Sequence, residues 1–351
     1  SHGPLFTTTL IRFSEKKSIL AFKCHHAVVD GWSLTIITHD LPKLYNELVT
    51  GVKNPHLQPT LSFIGYLGET VAREKESAKA VANFWKGTFS DGVPSLSLPT
   101  DKPRPPVRTY RSAREDYKIK RQTYEKLKVL GTENELSQYA VLLSAFALYL
   151  QKLSGQSEIV IGVPTAGQIK SGKPKLLGSD VRLLPIKCQI AAGDSFLTYA
   201  RRIMERFYAA YENQWISQDA LMKELKVAAD PARVSLVPAI FNFDPGIKPE
   251  DFHFEALKSR LTYNARDVEN HEISVNAVVE GDDMLLEFVF NTDLYDAAKM
   301  HERLVEFDAL LATIAAQPEL AISPEIEEIS FFFGSTAKQK YGTFYSGQTA
   351  S

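Results

Sequence analysis

Hydrophobic residues recur along the chain in two rhythms, and each rhythm predicts its own kind of element. At helical spacing, Leu34, Ile37, Leu41, Leu44 and Leu48 predict a helix toward Val49, with Ser33 as its N-cap and Gly51 as its stop. Pro42 falls inside that helix and is expected to kink or split it. Val71, Ala78, Val81, Phe84 and Trp85 predict a second helix over residues 63–89. A short helix over 124–130 is stopped by Gly131, and Ser137 caps a strongly apolar helix running to Leu153. Asp194 or Ser195 caps a helix whose apolar face is Phe196, Ala200, Ile203, Met204, Phe207 and Tyr211, and residues 297–316 form the last amphipathic helix.

Short apolar or alternating runs predict strands over 6–12, 19–23, 110–119, 158–163, 183–190, 237–243, 272–279 and 285–291. The last two pair across the turn Glu280-Gly281-Asp282-Asp283. Residues 19–23 read as a buried, central strand. Residues 92–106 hold Pro94, Pro99, Pro103, Pro105 and Pro106, so they are extended, cannot join a central sheet, and read as a crossing between lobes. Residues 165–175 read as a Gly/Lys-rich loop, and 334–351 as a polar tail or linker.

Composition narrows the class. A chain of 351 residues exceeds what one core usually organises, so two lobes are expected. A formal net charge of −2 without a long basic run argues against nucleic acid or an anionic membrane as partner. Two cysteines, Cys24 and Cys188, and no clustered Cys/His spacing argue against a disulfide framework or a metal site, and fit a reducing cytoplasm. The strongly apolar stretch 139–150 is too short to span a bilayer, and no signal peptide or phosphate-binding glycine fingerprint is seen.

The candidate chemistry lies in Cys24-His25-His26-Ala27-Val28-Val29-Asp30-Gly31-Trp32-Ser33. The histidines sit where a strand runs into a turn. Strand side chains alternate faces, so His25 and His26 are expected to point in opposite directions, one toward a cavity and one packed behind it. An imidazole is the usual group for moving a proton near neutral pH. The plainer alternative is a pair of structural histidines.

This stretch resembles the HHxxxDG signature of the condensation domains of nonribosomal peptide synthetases. Other stretches resemble that family in the same order: Phe84-Trp85; Leu98-Pro99-Thr100-Asp101-Lys102-Pro103-Arg104-Pro105; Leu177-Gly178-Ser179-Asp180-Val181-Arg182-Leu183-Leu184-Pro185; Asp230-Pro231-Ala232-Arg233-Val234-Ser235-Leu236; Phe241-Asn242; and Asn291-Thr292-Asp293-Leu294-Tyr295-Asp296. The resemblance implies an α/β (α+β sandwich) fold of two chloramphenicol acetyltransferase-like lobes in a V, with the active site where they meet. It divides the chain into 1–105, the C-terminal part of the first lobe with the crossing segment, 106–333, the second lobe, and 334–351, the tail. The family's opening segments have no match here, so the first lobe is expected to be incomplete.

The implied reaction is amide formation between a donor acyl or peptidyl thioester and an acceptor aminoacyl thioester, both carried on the phosphopantetheine arms of carrier proteins. Upstream and downstream carrier proteins and an adjacent adenylation domain are the implied partners. No bound cofactor or metal is implied. His26 is the expected catalytic histidine, as general base or as the group that orients the amine and stabilises charge, and His25 supports the site. Asp30 is expected to pair with a buried arginine, with Arg233, Arg182 or an arginine outside this chain supplying the charge; a triad-like role orienting the imidazole competes with it. Gly31 permits close backbone approach, and its N–H is a candidate oxyanion donor. Trp32, Ser33, Arg182 and Asn242 are candidate tunnel or substrate contacts, and Arg182 departs from the asparagine usual there. The rival readings are a stand-alone acyltransferase of the same fold acting on a hydroxyl or small amine, and a non-catalytic docking domain.

Overall fold

Two neighbouring stretches, Phe6–Ser14 (β1) and Lys17–Cys24 (β2), pair as an antiparallel hairpin in the computed structural model, which describes residues 3–53, 61–247, 249–262, 264 and 267–322. The strand at 19–23 is present, but it is neither buried nor central. Leu10, Ile19 and Leu20 are 68%, 47% and 47% exposed, and β1 and β2 form a two-stranded sheet of their own. An apolar run gives a strand the capacity to be buried; burial itself needs a covering element, and among the described residues nothing covers these side chains.

The helix Gly31–Thr50 (α1) follows. Its N-cap is Asp30, three residues before the expected Ser33, and the Asp30 side chain accepts from Ser33 N–H. The helix runs through Pro42 unbroken and ends at Gly51, whose φ of 73° and N–H bond to Glu47 O make a left-handed cap. Phe63–Thr88 (α2) is a single long helix, as its periodicity predicts.

Downstream come Ser112–Ile119 (β3), Arg121–Glu133 (α3), Gln138–Ser154 (α4), Glu158–Ala166 (β4), Gly167–Lys170 (α5), Val181–Gln189 (β5), Phe196–Glu212 (α6) and Gln218–Glu224 (α7). Ala239–Asp244 (β6), a 3-10 turn at Pro249–Phe252, Ile273–Glu280 (β7), Asp283–Asn291 (β8) and Ala297–Ala316 (α8) complete the described elements. Gly131 lies inside α3 and does not stop it. A Cβ there would meet Leu136 O at 2.7 Å, so its place is a close backbone approach after the helix rather than a terminator. The expected loop after β4 contains the short helix α5.

Contacts gather the chain into two units. The first holds residues 1–77, 165–182 and 247–262; the second holds 78–164, 183–246 and 263–351. The second unit is organised by a six-stranded mixed sheet in the order β3-β8-β7-β6-β4-β5. β3 and β7 run antiparallel to β8, while β6 runs parallel to β4 and β7. β8 alternates cleanly, burying Met284, Leu286, Phe288 and Phe290. Helix α4, capped by Ser137 and stopped by Gly155 in the left-handed region, is buried from Ala140 to Lys152 and packs against α3, α6, α8 and β6. Its Phe146 meets Phe241, Phe288 and Phe307 with ring centroids 5.6–6.1 Å apart, joining two strands and α8 in one aromatic cluster. Each such ring contributes about 1.5–3 kcal/mol by burial.

Candidate functional site

Strand β2 ends at Cys24, one residue before the histidine pair. His25 N–H still donates to Leu5 O at 2.7 Å, and the chain then turns through Val28 N–H bonding His25 O at 3.0 Å. His25 Nδ1 accepts from Ala27 N–H at 3.1 Å, so in this geometry a neutral ring carries its proton on Nε2. Both histidines are exposed, and the His26 imidazole has no hydrogen-bond partner among the described residues. The expected arrangement, with one ring packed behind the other, is therefore not found. The two-residue alternation applies only within a strand, and this pair lies in a turn.

Asp30 closes the turn and opens α1. It is 2% exposed, and its backbone is extended. Oδ1 accepts from Ser33 N–H at 2.7 Å, and Oδ2 accepts from Gln168 Nε2 at 2.7 Å and from Asp180 N–H at 3.1 Å. Among the described residues no arginine bonds this carboxylate. Arg182 pairs instead with Asp180 at 2.8 Å and with Glu74. Arg233 belongs to the other unit and lies 3.8 Å from Asp230. The physical reason is that three neutral donors satisfy the Asp30 carboxylate without a cation.

The segment 165–182 is fastened to α1 by further bonds. Ser33 Oγ donates to Gly178 O at 2.7 Å and accepts from Gly178 N–H at 3.0 Å. Trp32 Nε1–H donates to Pro174 O at 2.8 Å. Two glycines allow close packing of this segment, one against α2 and one within the segment itself. A Cβ on Gly178 would lie 2.0 Å from the Phe63 ring, and one on Gly167 would lie 2.1 Å from Asp180 Oδ2. Asp180 also accepts from Tyr66 Oη, and burial followed by that contact pushes the Tyr66 phenol above its ordinary pKa. Burial opposes the Arg182 charge, but Glu74 and Asp180 outweigh it and raise the guanidinium's pKa. Arg182 is thus a partnered, largely buried residue.

Asn242 belongs to the second unit, and its amide is taken up there. Its Nδ2 donates to Asn276 Oδ1 at 2.9 Å, Asn276 Nδ2 donates to Glu287 Oε2 at 3.0 Å, and Arg114 donates to Glu287 Oε1 at 2.9 Å. The result is a polar ladder across β6, β7, β8 and β3, which is a structural role.

Three of the other singled-out stretches do meet. Asp101 N–H bonds Leu294 O at 2.9 Å, and its carboxylate takes a two-pronged bond from Arg303 at 2.8 and 3.0 Å. Arg104 pairs with Glu272 at 2.6 Å and donates to Ala232 O at 3.2 Å. Arg108 N–H bonds Pro231 O at 2.7 Å. Arg104, Arg108, His271, Glu272, Asn291 and Leu294 line a small cleft at this meeting point.

Gln168 is the member of the Asp30 cluster that sequence reasoning missed. It lies 138 residues from Asp30, just after a strand, and no periodicity or spacing points to it. Among the described residues no group of three or more His, Cys, Asp or Glu is arranged to hold a metal ion, and no helix is long and apolar enough to cross a membrane.

The model of the condensation-domain family matches residues 1–326. A linear gramicidin synthase from Brevibacillus parabrevis is 28% identical over 333 residues, which is 92% of this chain and 6% of that protein. Bacitracin synthase 1 of Bacillus licheniformis is 28% identical over 323 residues, again 92% of this chain and 6% of that protein. The chain therefore spans only a small fraction of these relatives. Among solved structures, a four-domain nonribosomal peptide synthetase bound to AMP and glycine superposes with a TM-score of 0.79 at 20% identity, covering 93% of this chain and 25% of that one. The first condensation domain of the calcium-dependent antibiotic synthetase, in complex with a substrate analogue, gives a TM-score of 0.73 at 18% identity, covering 90% and 68%. The mixed α/β architecture is thus the chloramphenicol acetyltransferase-like fold of those domains. With the family model extending over nearly the whole length and the histidine turn in place at the head of α1, the chain belongs to the condensation-domain family of nonribosomal peptide synthetases.

Proposed function

We propose that this domain forms an amide bond between a donor acyl or peptidyl thioester and an acceptor aminoacyl thioester, each carried on the phosphopantetheine arm of a carrier protein. The acceptor amine attacks the thioester carbonyl, a C–N bond forms, the C–S bond breaks, and the amine proton ends on the departing thiol. Carrier proteins on either side, an adjacent adenylation domain, a cytoplasmic setting and the division into lobes at 105/106 belong to the same reading. Family membership supports amide formation in general; the carrier-bound substrates rest on the resemblance.

In this reading His26 takes or orients the proton of the attacking amine, and Gly31 N–H faces the developing oxyanion. The observation that carries it is the state of the turn. His26 is exposed and without a partner among the described residues, next to a helix N-terminus held by buried bonds to Asp30. The first residues of a helix carry N–H groups with no intrahelical acceptor, and that end of the helix favours negative charge. Gly31 has open space around its Cα, so a substrate oxygen meets no side chain there. His25, Trp32 and Ser33 support the turn through the bonds described above, and Arg182 acts through Asp180. Arg233 pairs with Asp230 in the second unit.

The test is product formation on loaded carrier proteins. His26→Ala is expected to abolish it with little change in melting temperature, whereas His25→Ala loses the bond to Ala27 and lowers stability more. Near-normal turnover by His26→Ala would refute the assignment.

A further inference from the structure

Gln168 is fully buried, and its side-chain amide is used unevenly. Nε2 donates twice, to Asp30 Oδ2 at 2.7 Å and to Gly178 O at 2.9 Å, while Oε1 has no partner among the described residues. The orientation of the amide follows from its neighbours. A carboxylate oxygen and a carbonyl oxygen both demand a donor, and the flipped amide would set oxygen against oxygen. Leaving Oε1 without a bond is unfavourable, so the site tolerates a loss at one end of the side chain to hold Asp30 with the other.

Asp30 in turn holds two things. Its Oδ1 caps α1 through Ser33 N–H, and its Oδ2 receives Asp180 N–H. Ser33 Oγ binds both polar groups of Gly178, the residue whose carbonyl also receives Gln168. Gln168, Asp30, Ser33 and Gly178 thus form one closed ring of bonds, with Asp180 N–H as a further bond to Asp30, and the first turn of α1 has no freedom to move without breaking several of them. Within the ring, Gln168 is the side chain that bonds both Asp30 and Gly178 through one nitrogen.

We propose that Gln168 is a positioning residue for the amide-forming step: acting through Asp30, it sets the place of Gly31 N–H and of the histidine turn. The inference rests on the amide-forming reading above. It assigns no contact between Gln168 and substrate.

The experiment compares the wild-type domain with Gln168→Ala and Gln168→Glu, in the polypeptide in which the domain occurs, on loaded carrier proteins. Gln168→Ala is expected to lower kcat by about 100-fold with little change in KM, since a misplacement near 1 Å carries a penalty of that order. Gln168→Glu adds a readout that a merely structural role would not move. Below its pKa the new carboxyl is neutral and its single O–H donates to Asp30, replacing one of the two bonds of the amide while Gly178 O keeps its bond from Ser33 Oγ. Burial beside Asp30 and Gly178 O raises that pKa, so kcat falls as pH rises through it, a limb absent from the wild type because an amide does not titrate. Amide hydrogen exchange at Leu34 is measured on the same variants and is expected to quicken in Gln168→Ala.

A Gln168→Ala kcat within twofold of wild type, or a Gln168→Glu pH profile identical to wild type, would overturn the proposal. Absence of product from the wild type would instead overturn the amide-forming reading and the catalytic part of this role with it. The exchange measurement still decides in that case whether Gln168 holds the turn, and unchanged exchange would remove that too.

Discussion

Removing the Asp30 carboxylate is the sharpest perturbation available, because its three bonds are all on buried or helix-terminal groups. Asp30→Ala abolishes the cap on α1, which is worth about 0.5–2 kcal/mol. It also leaves Asp180 N–H without its acceptor in a residue 7% exposed, which costs about 1–3 kcal/mol more. Gln168 keeps its second acceptor, Gly178 O, and adds less. The total is about 2–5 kcal/mol, or roughly 30- to 5000-fold in a local opening constant. A global melt of a chain with two units is a poor reporter of this, so the assay is amide exchange at Leu34. Leu34 N–H bonds the backbone oxygen of residue 30, which the substitution leaves in place, and so it reports fraying of the turn rather than the deleted bond. Asp30→Asn should be milder. Oδ1 keeps the cap, although the new Nδ2–H meets Asp180 N–H and Gln168 Nε2 donor to donor, so the gain over Asp30→Ala is that of the cap alone, about 0.5–2 kcal/mol. Exchange within threefold of wild type in Asp30→Ala, or equal effects of the two substitutions, would refute the account of Asp30 as a carboxylate held by neutral donors.

Other expectations test the surroundings. Arg104→Met strands Glu272, which is 6% exposed, and should lower stability to urea by about 3–5 kcal/mol; a loss under about 1 kcal/mol would contradict a buried pair. Burial pushes the Asp101 carboxyl up, but Arg303, Asp296 N–H and Lys299 outweigh burial and hold its pKa below the ordinary value. Its folded pKa is depressed, so its contribution is present above about pH 4 and lost as pH falls through the folded value. Asp101→Asn should flatten the acid limb of the stability profile, and an unchanged limb would count against the assignment. Gly178→Ala drives a methyl into the Phe63 ring and should destabilise the packing of this segment on α2 by about 1–3 kcal/mol, with Phe63→Ala relieving it in the double variant; simple additivity of the two would show that the clash is not the cause.

Much of the fold was legible because its signals are local. Ser137 and Gly155 bracket α4, and the apolar spacing from 297 to 316 marks α8 to the residue. Capping and periodicity are properties of a few neighbouring residues, and the sequence displays them directly. The misreadings share the opposite character. Ser33 and Asp30 are both good caps three residues apart, and the choice was made by Gln168 and Asp180, which come from distant parts of the chain. Gly131 reads as a stop until Leu136 O is seen above it. The exposure of β2 depends on what packs against it, which no residue of β2 encodes. The same holds for the site. The histidine turn announces itself by composition, whereas its support is tertiary. The arginine expected for Asp30 was a matter of charge type, and the carboxylate is held by an amide and two backbone donors instead. The short α5 and α7 carry too few turns for a periodic signal.

The edge position of β3 has a consequence for the order in which this chain leaves the ribosome. Within the sheet, β3 pairs only with β8. Ile119 faces Met284, about 165 residues further on, so synthesis at about 5–20 residues per second leaves β3 waiting roughly 8–33 s for its neighbour. During that interval α3, α4 and α6 emerge with apolar surfaces whose sheet is unfinished. β8 then arrives with β7 already beside it across a tight turn, and this hairpin closes the sheet. The sheet is thus completed late, by its last strand, and a ribosome that pauses before residue 283 holds β7, β6, β4 and β5 as neighbours while β3 still lacks the strand it pairs with.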